Sequence, residues 1–312
     1  MSGILGVHVG KISRVLDPPY KNRNTMHEAI RVDCEILGLN AAQIFTHGPR
    51  GHRRNEMDYG KVKKLAKEIH ISVHSSYPSV AIWKVTRQNI NDKVSLIILA
   101  HIKDQLYSCQ KIDSDGLVLH LPRRPLEEII ETMKAIEPIL QEIKIPIWLE
   151  MISSCAHPEL TYESPEKINK LVKALKDIDP SVWGLCIDTA HIYGSGLDIS
   201  TKEQQDEWFD GLSKEATKKI KMFHLNGTES KLGSGTDKHA ICFCPTDNIY
   251  KKFKKTPKKS GVYSIIKFCQ KKFIPVILEI NRGTEKSVVQ LINIISDMEK
   301  SESKSSDLKK KQ

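Results

Sequence analysis

Ile147-Trp148-Leu149-Glu150 and Leu185-Cys186-Ile187-Asp188 are short apolar runs that each stop on a carboxylate, and the same ending recurs along the chain. Leu117-Val118-Leu119-His120, Met222-Phe223-His224, Val276-Ile277-Leu278-Glu279 and, earlier, Ile71-Ser72-Val73-His74 also end on a residue able to bind a metal. A strand buried on both faces of a parallel sheet carries its apolar residues to its end and then turns. Six such strands ending on donor side chains predict a ring of ligands at one mouth of a parallel sheet.

Strand-like segments at 3–9, 41–46, 70–75, 116–121, 145–150, 183–188, 220–225 and 275–280 alternate with helical patterns near 24–38, 58–69, 86–110, 126–142, 164–177, 203–217, 262–272 and 284–299. Eight of each in strict alternation predict an α/β fold closed as a single-domain (β/α)8 TIM barrel over residues 1–300, with 301–312 as a lysine-rich flexible tail. An open doubly wound sheet uses the same alternation, but eight units with polar strand ends favour closure. Ser164 before Pro165, and Ser200 or Thr201 before Glu203, mark helix starts.

The chain has 312 residues, 39% of them hydrophobic, which is enough for one large core. No apolar stretch reaches the roughly 18 residues that span a bilayer, and the N-terminus has no secretory pattern. Seven scattered cysteines argue for reduced thiols, and Cys242 and Cys244 stand too close for a zinc ribbon. The expectation is an intracellular monomer, in the cytoplasm or with genomic DNA, and no membrane partner. Net charge is +10, and six lysines fall between Lys251 and Lys259. Such a loop suits a phosphate backbone, although a solvated surface explains it equally well.

The ligand types carry the chemistry. Asp188 is followed three residues on by His191, and His224 is followed by Asp237 and His239, which an extended loop would turn the same way. His191, Asp237 and His239 therefore predict one three-ligand site, while His74, His120, Glu150, Asp188, His224 and Glu279 leave donors for two more ions sharing a carboxylate. Imidazole and carboxylate without cysteine suit catalytic zinc, or manganese as a substitute. Without cations four carboxylates in one cleft would repel. Three divalent ions would leave an excess positive charge that attracts a phosphate, and a water shared by two ions would serve as nucleophile. A lone histidine at a strand end is more often a hydrogen-bonded core residue, but nine donors in one pattern are not. His8 is placed behind the ligands as a support, while His70, His101 and His157 read as surface or packing histidines.

These residues lie in longer blocks: Gly-x-His-Val at the start, VHSSY at 73–77, GLCIDTAHIYGSG at 184–196 and HLNGTESKLGSGTDKH at 224–239. Over about residues 3–296 the chain resembles endonuclease IV, the zinc-dependent apurinic/apyrimidinic (AP) endonucleases of base excision repair. QIFTHGPRG and LVLHLPRR resemble the branch carried by large cytoplasmic DNA viruses. The resemblance implies three zinc ions and incision of duplex DNA 5′ to an abasic site, leaving a 3′-hydroxyl and a 5′-deoxyribose phosphate. It implies that His74, His120 and Glu150 hold the first ion, that Glu150, Asp188, His224 and Glu279 hold the second, and that His191, Asp237 and His239 hold the third. Glu150 would then bridge two ions at the catalytic centre, and Tyr77 and Arg50 would enter the DNA at the lesion. The chain departs from the family pattern after His120, after Glu150, around Arg50 and after His239, and none of these changes removes a ligand. Two other readings are a metal-dependent sugar isomerase or epimerase on a related barrel, and a protein that binds abasic DNA without cutting it. The first has no use for a third ion site, and the second has no need of a bridging carboxylate.

Overall fold

The computed structural model describes residues 3–9, 25–279 and 285–309, with side chains over 3–9, 25–279 and 286–298. Eight parallel strands close into a barrel: β1 (Leu5–Val9), β2 (Ala41–Ile44), β3 (His70–His74), β4 (Leu117–His120), β5 (Ile147–Glu150), β6 (Trp183–Asp188), β7 (Ile220–His224) and β10 (Val276–Leu278). A pair of two-residue antiparallel strands, β8 (Gly227–Thr228) and β9 (His239–Ala240), stands outside it. The apolar runs form strands because side chains alternate between the barrel interior and the surrounding helices, and both environments are dry.

The alternation has a chemical consequence. Ala41, Val118, Trp148, Cys186, Met222 and Ile277 form a separate buried cluster that plugs the barrel. Two residues further along the same strands come Gln43, His120, Glu150, Asp188, His224 and Glu279, which face the same interior one layer higher. Register locks the upper layer across neighbours, with His120 opposite Glu150 and Asp188 opposite His224. Trp148 fills the plug so fully that a Cβ on Gly116 would lie 2.6 Å from its ring, so this position takes glycine.

The helices are α1 (Met26–Leu37), α2 (Tyr59–Leu65), α3 (Lys93–Ile112), α4 (Leu126–Ile143), α5 (Pro165–Ala174), α6 (Thr189–Gly194), α7 (Lys202–Asp210), α8 (Lys214–Lys219), α9 (Gly261–Lys272) and α10 (Glu285–Lys309), in the predicted order apart from the short α6, which was not expected. Ser164 caps α5 by accepting from the Lys167 N–H at 3.3 Å. Thr201 caps α7, but its reciprocal partner is Gln204 rather than Glu203, because the capping-box side chain must come from the third helical residue. The helix expected over 203–217 is two, since the chain turns at Gly211 and Ser213 caps a new start. The helix expected to open at 86 starts only at Lys93, because residues 87–91 form turns after a 3-10 helix at Tyr77–Lys84. The backbone of α10 continues through the expected tail as far as Lys309, so no element ends at the 300/301 boundary. No helix among the described residues is long and apolar enough to cross a membrane.

Candidate metal centre

All nine predicted ligands converge at the carboxyl ends of the strands. Three donor groups have ligand atoms within 4.8 Å of one another: His74 with His120 and Glu150; Glu150 with Asp188, His224 and Glu279; and Asp188 with His191 and His239. Glu150 is fully buried and divides its two oxygens between groups. Its Oε2 lies 3.1 Å from His74 Nε2 and 3.2 Å from His120 Nε2, while its Oε1 lies 3.1 Å from His224 Nδ1. His224 Nδ1 is also 3.3 Å from Glu279 Oε2. Donors about 2.0–2.1 Å from a tetrahedral ion stand roughly 3.3 Å apart, so these spacings leave room for a divalent ion.

The third group holds one donor more than expected. Asp188 belongs to it as well as to the second, with Oδ2 3.7 Å from both His224 Nδ1 and His239 Nε2. Asp237 joins from the exposed side: its Oδ1 is 2.7 Å from His239 Nε2 and 3.6 Å from His191 Nε2, with the side chain 54% exposed. Glycines make this meeting possible. Gly233 and Gly235 take positive φ of 70° and 64°, and their N–H groups donate to Tyr193 O and Gly194 O at the end of α6. The loop bearing Asp237 and His239 is thereby stitched to the helix bearing His191.

Hydrogen bonds fix which nitrogen each ring can offer. His74 Nδ1 donates to Ser75 O at 2.8 Å and His191 Nδ1 to Met151 O at 2.8 Å, which leaves Nε2 of each free to ligate. His224 is held the other way round, donating Nε2–H to Gln43 Oε1 at 2.8 Å and turning Nδ1 to the carboxylates. Neither ring nitrogen of buried His239 makes a hydrogen bond, despite the nearness of Asp237. Its Nε2 faces carboxylate oxygens, Asp237 Oδ1 at 2.7 Å and Asp188 Oδ2 at 3.7 Å, surroundings that a cation would complete, and on that ground the donor set fits bound metal.

The electrostatics agree. Burial pushes the Glu150 carboxyl up, but the imidazoles of His224 and His120 outweigh it and hold it well below the usual range. Burial opposes protonation of His239, yet Asp188 and Asp237 raise its pKa to about 9. The ion-free cluster thus draws in positive charge, which divalent ions would supply.

His8 lies beside the cage, with Nδ1 3.7 Å from Glu279 Oε1, and burial lowers its pKa. Arg50 is exposed in the loop after β2, and Tyr77, half exposed, donates its backbone N–H to Pro49 O at 2.8 Å in that loop. Tyr77 stands at the mouth, its ring 5.9 Å from that of His120. Sequence reasoning missed Gln43 and Asn226. Asn226 Nδ2 donates to Asp188 Oδ2 at 2.6 Å, and its Oδ1 accepts the Glu279 N–H at 3.0 Å. A fully buried amide inside the Ala-Ala-Gln-Ile strand was the available signal for Gln43.

A family model described as "Xylose isomerase-like TIM barrel" matches residues 33–269. A "Probable AP endonuclease" of African swine fever virus is 31% identical over 253 residues, covering 79% of this chain and 80% of the relative. A "Probable endonuclease 4" of Thermosipho melanesiensis is 27% identical over 224 residues, covering 65% and 73%. A solved structure described as "The crystal structure of AsfvAP:AG" superposes with a TM-score of 0.79 at 28% identity, covering 96% of this chain and 98% of that one. The chain belongs to the xylose isomerase-like TIM barrel family and, within it, to the AP endonucleases of the endonuclease IV group.

Proposed function

We propose that this protein is a zinc-dependent AP endonuclease that hydrolyses the phosphodiester 5′ to an abasic site in duplex DNA, leaving a 3′-hydroxyl and a 5′-deoxyribose phosphate. The carrying observation is the buried Glu150 carboxylate, which offers one oxygen to His74 and His120 and the other to His224. His74, His120 and Glu150 would hold one ion, Glu150, Asp188, His224 and Glu279 a second, and His191, Asp237 and His239 a third, with Asp188 near enough to share. Bound there, the ions supply an acidified water and positive charge against the phosphoryl oxygens. Gln43 and Asn226 hold His224, Asp188 and Glu279 in their ligating orientations. Tyr77 and Arg50 stand at the rim, where an aromatic ring and a guanidinium fill the space left by a turned-out nucleotide. Of the donor groups, the third argues against a sugar isomerase, whose proton transfer at carbon needs only one or two ions.

The test is product analysis on a duplex with one abasic analogue. The expected nick bears a 3′-end that a polymerase extends directly. A 3′-end blocked by a sugar remnant would refute the assigned bond.

A further inference from the structure

The β2–α2 loop that carries Arg50 is a closed hairpin. His47 and Arg54 form an antiparallel bridge, the Gly48 N–H donates to Arg53 O at 2.9 Å, and the Asn55 N–H donates to Thr46 O at 2.9 Å. Both ends of the hairpin are held by one carboxylate on α3. Asp104 Oδ2 accepts from His47 Nε2 at 2.9 Å and from Arg54 Nε at 2.7 Å, and Asp104 Oδ1 pairs with the Arg54 guanidinium. His47 is buried, and Thr46 Oγ1 stands 3.1 Å from its Nδ1, so the hydroxyl can donate there while Nε2–H turns to Asp104.

The same face of α3 holds the segment of Tyr77. One residue past Asp104, the buried Gln105 accepts the Ser76 N–H at 2.9 Å and donates to Ser79 Oγ at 2.6 Å. One turn earlier, His101 Nε2 lies 2.9 Å from Ser76 Oγ, and its ring meets the ring of His52, from the Arg50 loop, at 4.3 Å. His101, Asp104 and Gln105 fall at i, i+3 and i+4, so they share one side of the helix. None of the three is among the donors of the metal groups.

We propose that this face of α3 is a fixture that sets Arg50 and Tyr77 relative to each other, with Asp104 as the positioning residue for Arg50. The inference rests on the reading that Arg50 enters the duplex at the lesion. Its physical content is preorganisation: a loop already held in its bound shape loses less freedom when DNA arrives.

Asp104→Ala tests it, because the Asp104 side chain is 31% exposed and its removal leaves no core cavity. In the zinc-loaded variant the KM for an abasic duplex should rise on the order of tenfold. The kcat, the zinc content and the inhibition constant of intact duplex should stay within about twofold. Trypsin should nick the loop at Arg50 and Arg53 faster than in wild type, while Asp104→Asn, which keeps an acceptor for His47, should fall between. Combined with Arg50→Ala, Asp104→Ala should add no further loss, since it acts through that residue. If Arg50→Ala itself leaves lesion discrimination intact, the reading of Arg50 falls. If Arg50→Ala impairs discrimination while Asp104→Ala changes neither KM nor nicking, or adds its loss independently, the positioning proposal falls alone.

Discussion

The lower and upper layers of the barrel interior are built by the same strands, two residues apart, and are filled with opposite chemistries. Below, Val118, Trp148, Cys186, Met222 and Ile277 pack as a dry plug. Above, His120, Glu150, Asp188, His224 and Glu279 crowd acidic and basic groups into a space almost as buried. The plug stabilises the fold by apolar burial, whereas the cage without ions brings charges together at a cost. Chemistry is thus concentrated at the strand ends, and the layer beneath them supplies most of the stability.

Substitutions at one strand separate the two layers most sharply. Glu150→Gln should lower kcat for abasic-site incision by at least about 10⁴-fold, which is over roughly 5 kcal/mol of barrier. The metal-free variant should also lose stability near neutral pH, because facing imidazoles hold this carboxyl below its usual range and that pairing is lost; near-normal incision would break the contrast. Trp148→Ala, two residues below, should instead cost about 3–5 kcal/mol of folding stability while leaving the zinc content of the folded fraction intact. Denaturant unfolding and elemental analysis read both. Within the cage, the Asp237→Ala/His239→Ala double variant should bind roughly one zinc fewer per chain and lose on the order of 100-fold in kcat. Unchanged metal content would remove the third site.

A second carboxylate sharpens the contrast in another way. Glu163 is buried without a partner for Oε1, and burial raises its pKa to about 7. The folded state therefore keeps a proton that the unfolded chain releases near 4.5, so stability falls as pH rises from about 4.5 to 7 and stays reduced above. Glu163→Gln, which cannot ionise, should gain about 2 kcal/mol over wild type at pH 8 relative to pH 5, measured on chelator-treated protein. Equal differences at both pH values would show that Glu163 is already stabilised as an anion. Glu150, equally buried, is held low because imidazoles face it.

The barrel and six of the nine donors were legible because both rest on a period of two along apolar strands, with the polar break falling at each strand end, while His191, Asp237 and His239 were legible from their short spacings. Gln43 and Asn226 were not, since neutral amides are not ligand types and their roles depend on which strand lies opposite. The meeting of Asp237 with His191 was anticipated, but its cause was not. It depends on positive φ at Gly233 and Gly235 and on backbone bonds to α6, which join segments some forty residues apart. The division of the 203–217 helix turned on local chemistry at Gly211 and Ser213, which the hydrophobic pattern passes over.

If these strand ends cage three cations that do the cutting, activity must follow the metal. The most direct test strips the protein with chelator, returns zinc in graded equivalents, and follows incision of a duplex bearing one abasic analogue. The account predicts no incision in excess chelator and recovery that is complete only when about three equivalents are bound. Undiminished incision by the stripped protein would contradict it.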